Sequence, residues 1–223
     1  MLLSDNGIKE AMEKGQIKME FFEPKMLQSA SYDMRIGKRL LVSGNEHEID
    51  LEKEGSFNLK AGEFALLTTV ENITLDNIIV GHIGLKSYYT RKGVIVLAGL
   101  QIDPGFSGIL ILGVYNASSR KISLEYQNPI CTVEFYKLAK PVGIPFQRTD
   151  LEEQKEALIP KVDRDYLKTL ETQSLSNMSE SVRQLSLNVS RLATHTKIAI
   201  SLGVAILTGV VAGFISVLFT LSD

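Results

Sequence analysis

The chain is poor in the residues that build most metal sites and disulfides. Its 223 residues include one cysteine, Cys131, and three histidines, His47, His82 and His195, which lie far apart in the sequence. A single thiol excludes a disulfide within the chain and a zinc site built from several thiolates. The H-x-E and P-C-x-x-C elements of zinc-dependent base deaminases are also absent, so we expect no metal site made of protein side chains.

The sequence also lacks an excess of charge of either sign. Lysine and arginine number 24 and aspartate and glutamate number 26, which leaves a formal net charge of −2. Proteins that bind nucleic acid chiefly through its phosphates need a basic patch or a strongly basic balance. The composition therefore predicts that nucleic acid is not a partner.

Charge is missing altogether from residues 198–221, close to the end of the chain. Residues 198–221 read IAISLGVAILTGVVAGFISVLFTL. A helix of that length rises about 36 Å, enough to cross a bilayer core of about 30 Å, and it is apolar or small on every face. Arg183, Arg191 and Lys197 precede it, and no apolar run at the amino terminus resembles a signal peptide. We therefore predict a single-pass, tail-anchored protein of a bacterial inner membrane, with its transmembrane helix at 197–221 and its amino-terminal part in the cytoplasm.

A narrow apolar stripe precedes the membrane segment. Apolar residues recur there in steps of three and four and are separated by polar residues. Two apolar positions in seven are typical of a coiled-coil seam, so we predict a parallel coiled-coil stalk over residues 162–196. A helix packed on its own domain is the alternative, and the stripe alone does not decide between two strands and three. The stripe consists of Leu175, Met178, Val182, Leu185, Val189 and Leu192.

Three prolines punctuate the segment before the stalk. Pro141, Pro145 and Pro160 surround a charged patch within residues 139–161, which we interpret as a linker with one short helix near 151–158. Because proline is tolerated only in the first turn of a helix, we expect the stalk helix to begin after Pro160.

Residues 1–138 have the pattern of a mainly β domain. Ser4 is a candidate N-cap for a short helix over 8–13 that ends at Gly15. The remaining apolar runs are short and bounded by turn residues, as in a compact barrel or sandwich. Asp103-Pro104-Gly105 predicts a tight turn. The clearest strand candidates are residues 64–69, 78–83, 94–98, 109–116 and 130–138.

Six stretches of this domain form a pattern with a fixed order: 3–5 (LSD), 15–17 (GQI), 29–37 (SASYDMRIG), 86–93 (KSYYTRKG), 102–108 (IDPGFSG) and 126–135 (YQNPICTVEF). In order and spacing over about 135 residues they resemble dCTP deaminases. They are similar to the opening of that family, its phosphate-contacting R-S-S-L-A-R-L-G motif, its I-D-P-G-[WF]-x-G turn and its P-G-x-x-I-x-x-L-x-F segment. The resemblance implies the wider trimeric dUTPase fold, a distorted β-barrel or jelly roll.

The same resemblance implies a homotrimer with nucleotide sites at subunit boundaries, and a threefold head would favour a three-stranded stalk. Lys86, Ser87 and Arg91 match positions around the triphosphate and the reacting base, where cations and hydroxyls suit phosphate oxygens. Asp103 matches an aspartate that contacts the deoxyribose and positions water in dUTPases, and Phe106 matches an aromatic residue that packs on the sugar. Structural roles are the alternatives: Asp103 can start its turn, and Ser87 and Arg91 can form a hydrogen bond at the trimer axis. The resemblance implies no protein-bound metal, and Mg²⁺ is expected only as the companion of a nucleoside triphosphate.

The chain departs from the family at the catalytic glutamate. Where the deaminases read L-E-[LF]-[YF]-N, residues 112–116 read LGVYN and place Gly113 at the residue that moves protons during attack of water on cytosine. Glycine has no group for this step, and a general acid or base contributes about 10²–10⁴-fold to a rate. Tyr88 and Tyr89 also replace small and aliphatic residues, which would fill the pocket or change the nucleotide it accepts.

Three functions remain open at this point. We favour a membrane-anchored trimer that binds a (deoxy)nucleotide, has impaired catalysis and acts as a nucleotide sensor coupled to a membrane effector. The first alternative is an active dCTP deaminase or dUTP pyrophosphatase of nucleotide metabolism, in which Asp103 would be the catalytic residue. The second alternative is a structural trimerisation module with a vestigial pocket.

Overall fold

The computed structural model describes residues 1–45, 47–97, 99–147, 159–169 and 175–220. The chain forms two compact units, Met1–Ser176 and Asn177–Asp223. The first unit is called the head below. The predicted boundaries at 138, 161 and 196 remain predictions.

The described part of the head is mainly β and carries a few short helices. Its helices are α1 (Asp5–Glu13), α2 (Leu51–Glu54), α3 (Ser87–Thr90) and α4 (Lys161–Thr169), with a 3₁₀ turn at Pro24–Met26. Its strands are β1 (Ile17–Glu20), β2 (Tyr32–Val42), β3 (Ile49–Asp50), β4 (Ser56–Leu59), β5 (Phe64–Leu75), β6 (Ile79–Leu85), β7 (Val94–Val96), β8 (Gln101–Ile102), β9 (Ser107–Asn116), β10 (Ile122–Glu125) and β11 (Pro129–Lys137).

One antiparallel sheet of nine strands makes up most of the head. Its strand order is β7-β9-β5-β2-β11-β6-β8, with β1 added beside β5 and β3 beside β2, while β10 and β4 form a separate pair. The register shifts between β2 and β5 and between β5 and β9, and such bulges increase the local twist of long strands. The sheet curls into a half-barrel, so the prediction of a mainly β head of the dUTPase-like type is confirmed.

Alternating burial along the long strands builds the core. In β5, buried and partly exposed residues alternate for most of its length, which is the period of a strand with one face inside. Leu67 and Ile73 of β5 pack with Leu112 of β9 and Phe135 of β11, and each of the four is fully buried. Burying one such side chain stabilises the fold by about 1.5–3 kcal/mol.

Helix α1 follows the predicted pattern. The Ser4 hydroxyl accepts a hydrogen bond from the Gly7 N–H at 3.3 Å, which caps the first turn. Ile8 and Ala11 face the core, and the helix ends before Gly15, whose φ of 69° suits glycine. The predicted N-cap and terminator are both confirmed.

Helix α4 packs against the sheet. Leu167 of α4 and the preceding Ile159 are buried against Leu41 of β2. The Gly44 N–H donates to the Leu167 carbonyl at 3.2 Å. The structure thus places on the head a segment that the sequence analysis assigned to the stalk. The short helix predicted near 151–158 lies outside the described residues.

The second unit is built on one continuous helix, α5 (Leu175–Thr220), of 46 residues. Its described seam side chains are exposed, including Val182, Leu185, Val189 and Leu192 at 61–66 %. Judged by length and composition, one helix in the described part of the chain suits a membrane crossing: Ser181–Gly209, with a mean hydropathy of 1.3. The coiled coil and the membrane crossing remain predictions.

Candidate functional site

The predicted turn at residue 103 joins β8 to β9. The Phe106 N–H donates to the Asp103 carbonyl at 3.0 Å, and Gly105 has a φ of 91°. Proline at 104 and glycine at 105 supply the two backbone conformations that such a turn needs. The turn is therefore confirmed, and it fixes the positions of the Asp103 and Phe106 side chains.

The segment after β11 covers this turn. The Phe146 N–H donates to the Pro104 carbonyl at 2.8 Å, and the Phe146 ring stacks on Phe106 with centroids 5.9 Å apart. A β-carbon on Gly105 would lie only 2.7 Å from the Pro145 β-carbon, so this approach requires glycine. Phe106 is therefore half-buried under the chain's own aromatic residue.

Asp103 is fixed by a neighbour on β8. The Gln101 side-chain amide donates to the Asp103 carboxylate at 2.6 Å. Among the described residues, this is the only side-chain group that donates to that carboxylate. The contact orients the carboxylate. It uses the side-chain NH₂ group of Gln101, whose side-chain oxygen can still accept a hydrogen bond.

Two cavities flank the turn. The Gly113 cavity has a volume of about 680 Å³ and is lined by Gln101, Phe106 and Gly113 together with residues of α4. The Asp103 cavity has a volume of about 840 Å³ and is lined by Asp103 together with His82 and the segment after β11. Gln101 and Phe146 line both cavities. Both volumes lie within the usual range for small-molecule sites.

Backbone fills the space beside Gly113. The Leu97 N–H donates to the Gly113 carbonyl at 2.7 Å. A β-carbon on Gly113 would lie 2.5 Å from the Leu97 carbonyl oxygen and 3.0 Å from the Phe64 ring. No side chain fits there without a shift of the residue 97 backbone, so the position that the resemblance assigns to the catalytic glutamate is closed in this fold.

The predicted phosphate-binding residues cluster at α3. Lys86 immediately precedes the helix, and its ammonium group bonds to the Asp33 carboxylate at 2.5 Å. Asp33 is buried, and its second carboxylate oxygen has no partner among the described residues. Ser87 and Arg91 are exposed, and within the described residues no partner bonds to the Arg91 guanidinium. Arg91 is therefore open to an anion, whereas Lys86 is engaged.

The two tyrosines of this motif have different environments. Tyr89 is a buried core residue, and burial raises its pKa to about 12. Tyr88 is 53 % exposed and packs edge-on against Tyr89, with the Lys92 ammonium 3.8 Å from its ring centroid. Tyr88 is thus at the surface and Tyr89 is in the core, and neither residue lines either of the two cavities at the turn.

Within one chain, the predicted residues at the turn lie far from the predicted phosphate-binding residues at α3. Strand β6 pairs with β8 at Gly81 and Ile102, next to Asp103. Lys86 follows Gly81 by five positions, which corresponds to about 17 Å along a strand. Neither cavity at the turn is lined by Lys86, Ser87 or Arg91.

Arg35, within the 29–37 motif, has a structural role. The Arg35 side chain donates to Glu71 at 2.7 Å, and its backbone N–H donates to the same carboxylate at 2.9 Å. Burial lowers the pKa of Arg35, but the hydrogen bond and charge of Glu71 outweigh it and the net shift is upward. Charged residues in a strand of otherwise buried side chains could have indicated this ion pair from the sequence.

Sequence reasoning also missed four residues at the site. Gln101, Phe146 and Asp33 contact predicted site residues, and Tyr166 of α4 lines the Gly113 cavity. Asp33 belongs to the stretch 29–37, but the resemblance assigns it no role. The sequence around the other three residues does not indicate that they lie at the site. No group of three or more His, Cys, Asp or Glu side chains suited to a metal occurs in the described part of the chain.

Comparisons with known proteins identify the family and the shared fold. A family model described as dCTP deaminase-like matches residues 2–138. The dCTP deaminase of Pyrococcus abyssi is 35% identical over 147 residues, which cover 66% of this chain and 90% of that protein. The "dCTP deaminase, dUMP-forming" of Aquifex aeolicus is 32% identical over 151 residues, which cover 63% of this chain and 84% of that protein. The 2′-deoxycytidine 5′-triphosphate deaminase structure from Agrobacterium tumefaciens matches with a TM-score of 0.50 at 19% identity, covering 60% of this chain and 47% of that one, and shows the shared fold. The chain belongs to the dCTP deaminase-like family.

Proposed function

We propose that this protein is a membrane-anchored homotrimer that binds a (deoxy)nucleotide between subunits, with deamination lost or strongly reduced. It would act as a nucleotide sensor coupled to its membrane helices. The observation that carries the proposal is the Leu97 carbonyl beside Gly113, because it fills the place of the family's proton-moving group. Loss of such a group costs about 10²–10⁴-fold in rate.

The separation of the site residues supports binding between subunits. Asp103 and Phe106 lie at the β8–β9 turn, while Ser87 and Arg91 lie at the far end of β6. A second copy of the chain could bring its Arg91 to the turn of the first. The apolar side chains of Ile95 in β7 and of Leu97 and Leu100 between β7 and β8 are 47–65 % exposed, which suits a surface covered by another subunit.

Two hydroxyl groups of the apolar segment of α5 have acceptors within the helix itself. Ser201 donates to the Ile198 carbonyl at 2.8 Å, and Thr208 donates to the Val204 carbonyl at 3.0 Å. A segment in lipid must satisfy its polar groups internally, and these bonds do so within one helix. The basic residues before the span favour a cytoplasmic head.

Nucleotide binding is tested with the full chain in detergent micelles. A thermal-shift screen with dCTP, dUTP and the other nucleoside triphosphates, each with and without Mg²⁺, should find a stabilising ligand. A ligand that binds only the folded state adds about 2.7 kcal/mol at 100 times its Kd. Arg91→Ala should abolish the shift, and Arg120→Ala, an exposed arginine outside the site, should not. Absence of a shift with every nucleotide would contradict the sensor and leave the trimerisation module.

Catalysis is tested on the same preparation. Ammonia release from dCTP and pyrophosphate release from dCTP and dUTP should stay near the buffer rate. The active-enzyme alternative is favoured by the names of the relatives and by Asp163, a carboxylate that lines the Gly113 cavity. Turnover at an enzymatic rate would establish that alternative, and loss of turnover in Asp103→Asn or Asp163→Asn would identify the group responsible.

A further inference from the structure

Helix α4 forms one wall of the Gly113 cavity. Asp163, Tyr166 and Leu167 of α4 line the cavity together with residues of β9. This helix lies beyond residues 2–138, the part that matches the family model. The cavity therefore combines the family's β8–β9 turn with side chains that the family domain does not supply.

The lining of this cavity has the chemistry of a base-binding site. Aromatic rings offer stacking surfaces, and two side-chain amides offer donors and acceptors. None of the described lining residues is a lysine, an arginine or a histidine, so this part of the lining offers no cation to a phosphate group. The aromatic and amide residues are Phe64, Phe106, Phe146, Tyr166, Gln101 and Gln147.

We propose that the Gly113 cavity takes the uncharged heterocyclic base of the nucleotide and that α4 reads it. This inference rests on the proposed nucleotide binding and adds the residues that select the base. Tyr166 stacks on the ring, and the Asp163 carboxylate accepts a hydrogen bond from an exocyclic amino group. Cytosine and adenine carry such a group, whereas uracil and thymine present a carbonyl oxygen there.

The same contacts would transmit binding along the chain. Leu167 anchors α4 through a small cluster with Leu41 and Ile159, against which Phe64 and Leu66 pack. Phe64, Leu66 and Leu167 also line the cavity, so a bound base touches the residues that hold the helix. Since α4 precedes α5 in the chain, a ligand that steadies α4 steadies the element that comes before the membrane helix in the sequence.

The test measures nucleotide affinity of the full chain in micelles by calorimetry. Tyr166→Ala should weaken binding about tenfold, because stacking on an aromatic ring is lost. Tyr166→Phe keeps the ring and should bind like the wild type. Asp163→Asn should reduce the preference for amino-bearing over carbonyl-bearing bases about tenfold. Tyr166 is 64 % exposed and Asp163 is exposed, so neither change removes a core contact.

Asp165→Asn is the matched control, since Asp165 is exposed on the same helix and does not line the cavity. Hydrogen exchange should show that nucleotide protects residues 161–169 in the wild type and in Asp165→Asn, and protects them less in Tyr166→Ala. Wild-type binding with unchanged affinity and base preference in the α4 variants would overturn this inference and leave the proposed function intact. No binding to the wild type would overturn both.

Discussion

The carbonyl oxygen of Leu97 lies 2.5 Å from the point where a β-carbon at Gly113 would be. The Leu97 N–H simultaneously donates to the Gly113 carbonyl at 2.7 Å, which holds the two chain segments together. Glycine at this position is therefore part of the backbone packing between β9 and the end of β7. The position that the resemblance assigns to the catalytic glutamate is therefore closed by the backbone of residue 97 and does not lack only a side chain.

Gly113→Glu should therefore fail to restore deamination. The new side chain must displace the residue 97 backbone, and overpacking of this kind costs about 1–3 kcal/mol. We expect a lower melting temperature and no gain in ammonia release from dCTP. Gly143→Glu is the control, because a β-carbon there meets no atom within 4 Å. Recovery of deaminase activity without loss of stability would show that the site is open.

Substitutions at Lys86 and Arg91 should have different effects. Loss of Lys86 should lower stability, whereas loss of Arg91 should impair only nucleotide binding. Lys86→Ala leaves the buried Asp33 carboxylate without its partner, at a cost of about 1–3 kcal/mol in unfolding free energy. Arg91→Ala should leave stability unchanged in the absence of ligand. Urea unfolding without nucleotide measures both, with Lys121→Ala as the exposed control. Asp33→Asn combined with Lys86→Ala should recover part of the loss, and equal stability of Lys86→Ala and the control would refute the structural role.

Tyr89 should make the head less stable at high pH. Burial raises the pKa of Tyr89 from 10.0 to about 12, so the unfolded chain loses its phenolic proton first as the pH rises. Stability is thus intact below pH 10 and falls between pH 10 and 12, by about 2–3 kcal/mol for this group. Tyr89→Phe should flatten part of that decline in denaturant titrations at pH 9 and 11. Between pH 7 and 9, the unfolding free energies of the wild type and Tyr89→Phe should change equally with pH. An equal change up to pH 12 would contradict the raised pKa of Tyr89.

Local chemistry explains which elements could be predicted from the sequence. The cap at Ser4 and the turn at Pro104 and Gly105 depend on residues within a few positions of one another. Tight turns and helix caps follow such local rules. The apolar run at 64–69 predicts the first half of β5. It does not predict the second half, to Leu75, because polar residues interrupt the run there.

The remaining features depend on contacts between distant residues. Arg35 finds its partner Glu71 36 positions away, and Leu167 packs on Leu41 more than 100 positions away. Nothing beside Gly113 in the sequence indicates that Leu97 approaches it. The resemblance located the site residues by motif, and only the folded chain shows that Lys86 is engaged by Asp33.

Membrane anchoring should depend on the second half of α5. Leu207→Arg places a charge near the middle of the apolar segment 198–221, and an arginine at the centre of a membrane helix costs about 2.5–3.5 kcal/mol on insertion scales. We expect a larger fraction to be extracted from membranes by alkaline carbonate. Leu187→Arg makes the same change before the apolar segment and should leave the protein in the membrane. Equal extraction of both variants would contradict the anchor.

The seam of α5 can be tested by disulfide crosslinking. A parallel coiled coil brings equivalent seam residues to within disulfide distance, so Leu185→Cys should give crosslinked dimers on mild oxidation. Leu187→Cys lies two positions away, outside the seam, and should crosslink far less. The native Cys131 adds little background, because it is fully buried and burial raises the pKa of its thiol. Similar yields from both cysteines in non-reducing gels would exclude a seam in this register and favour a helix that associates in another way.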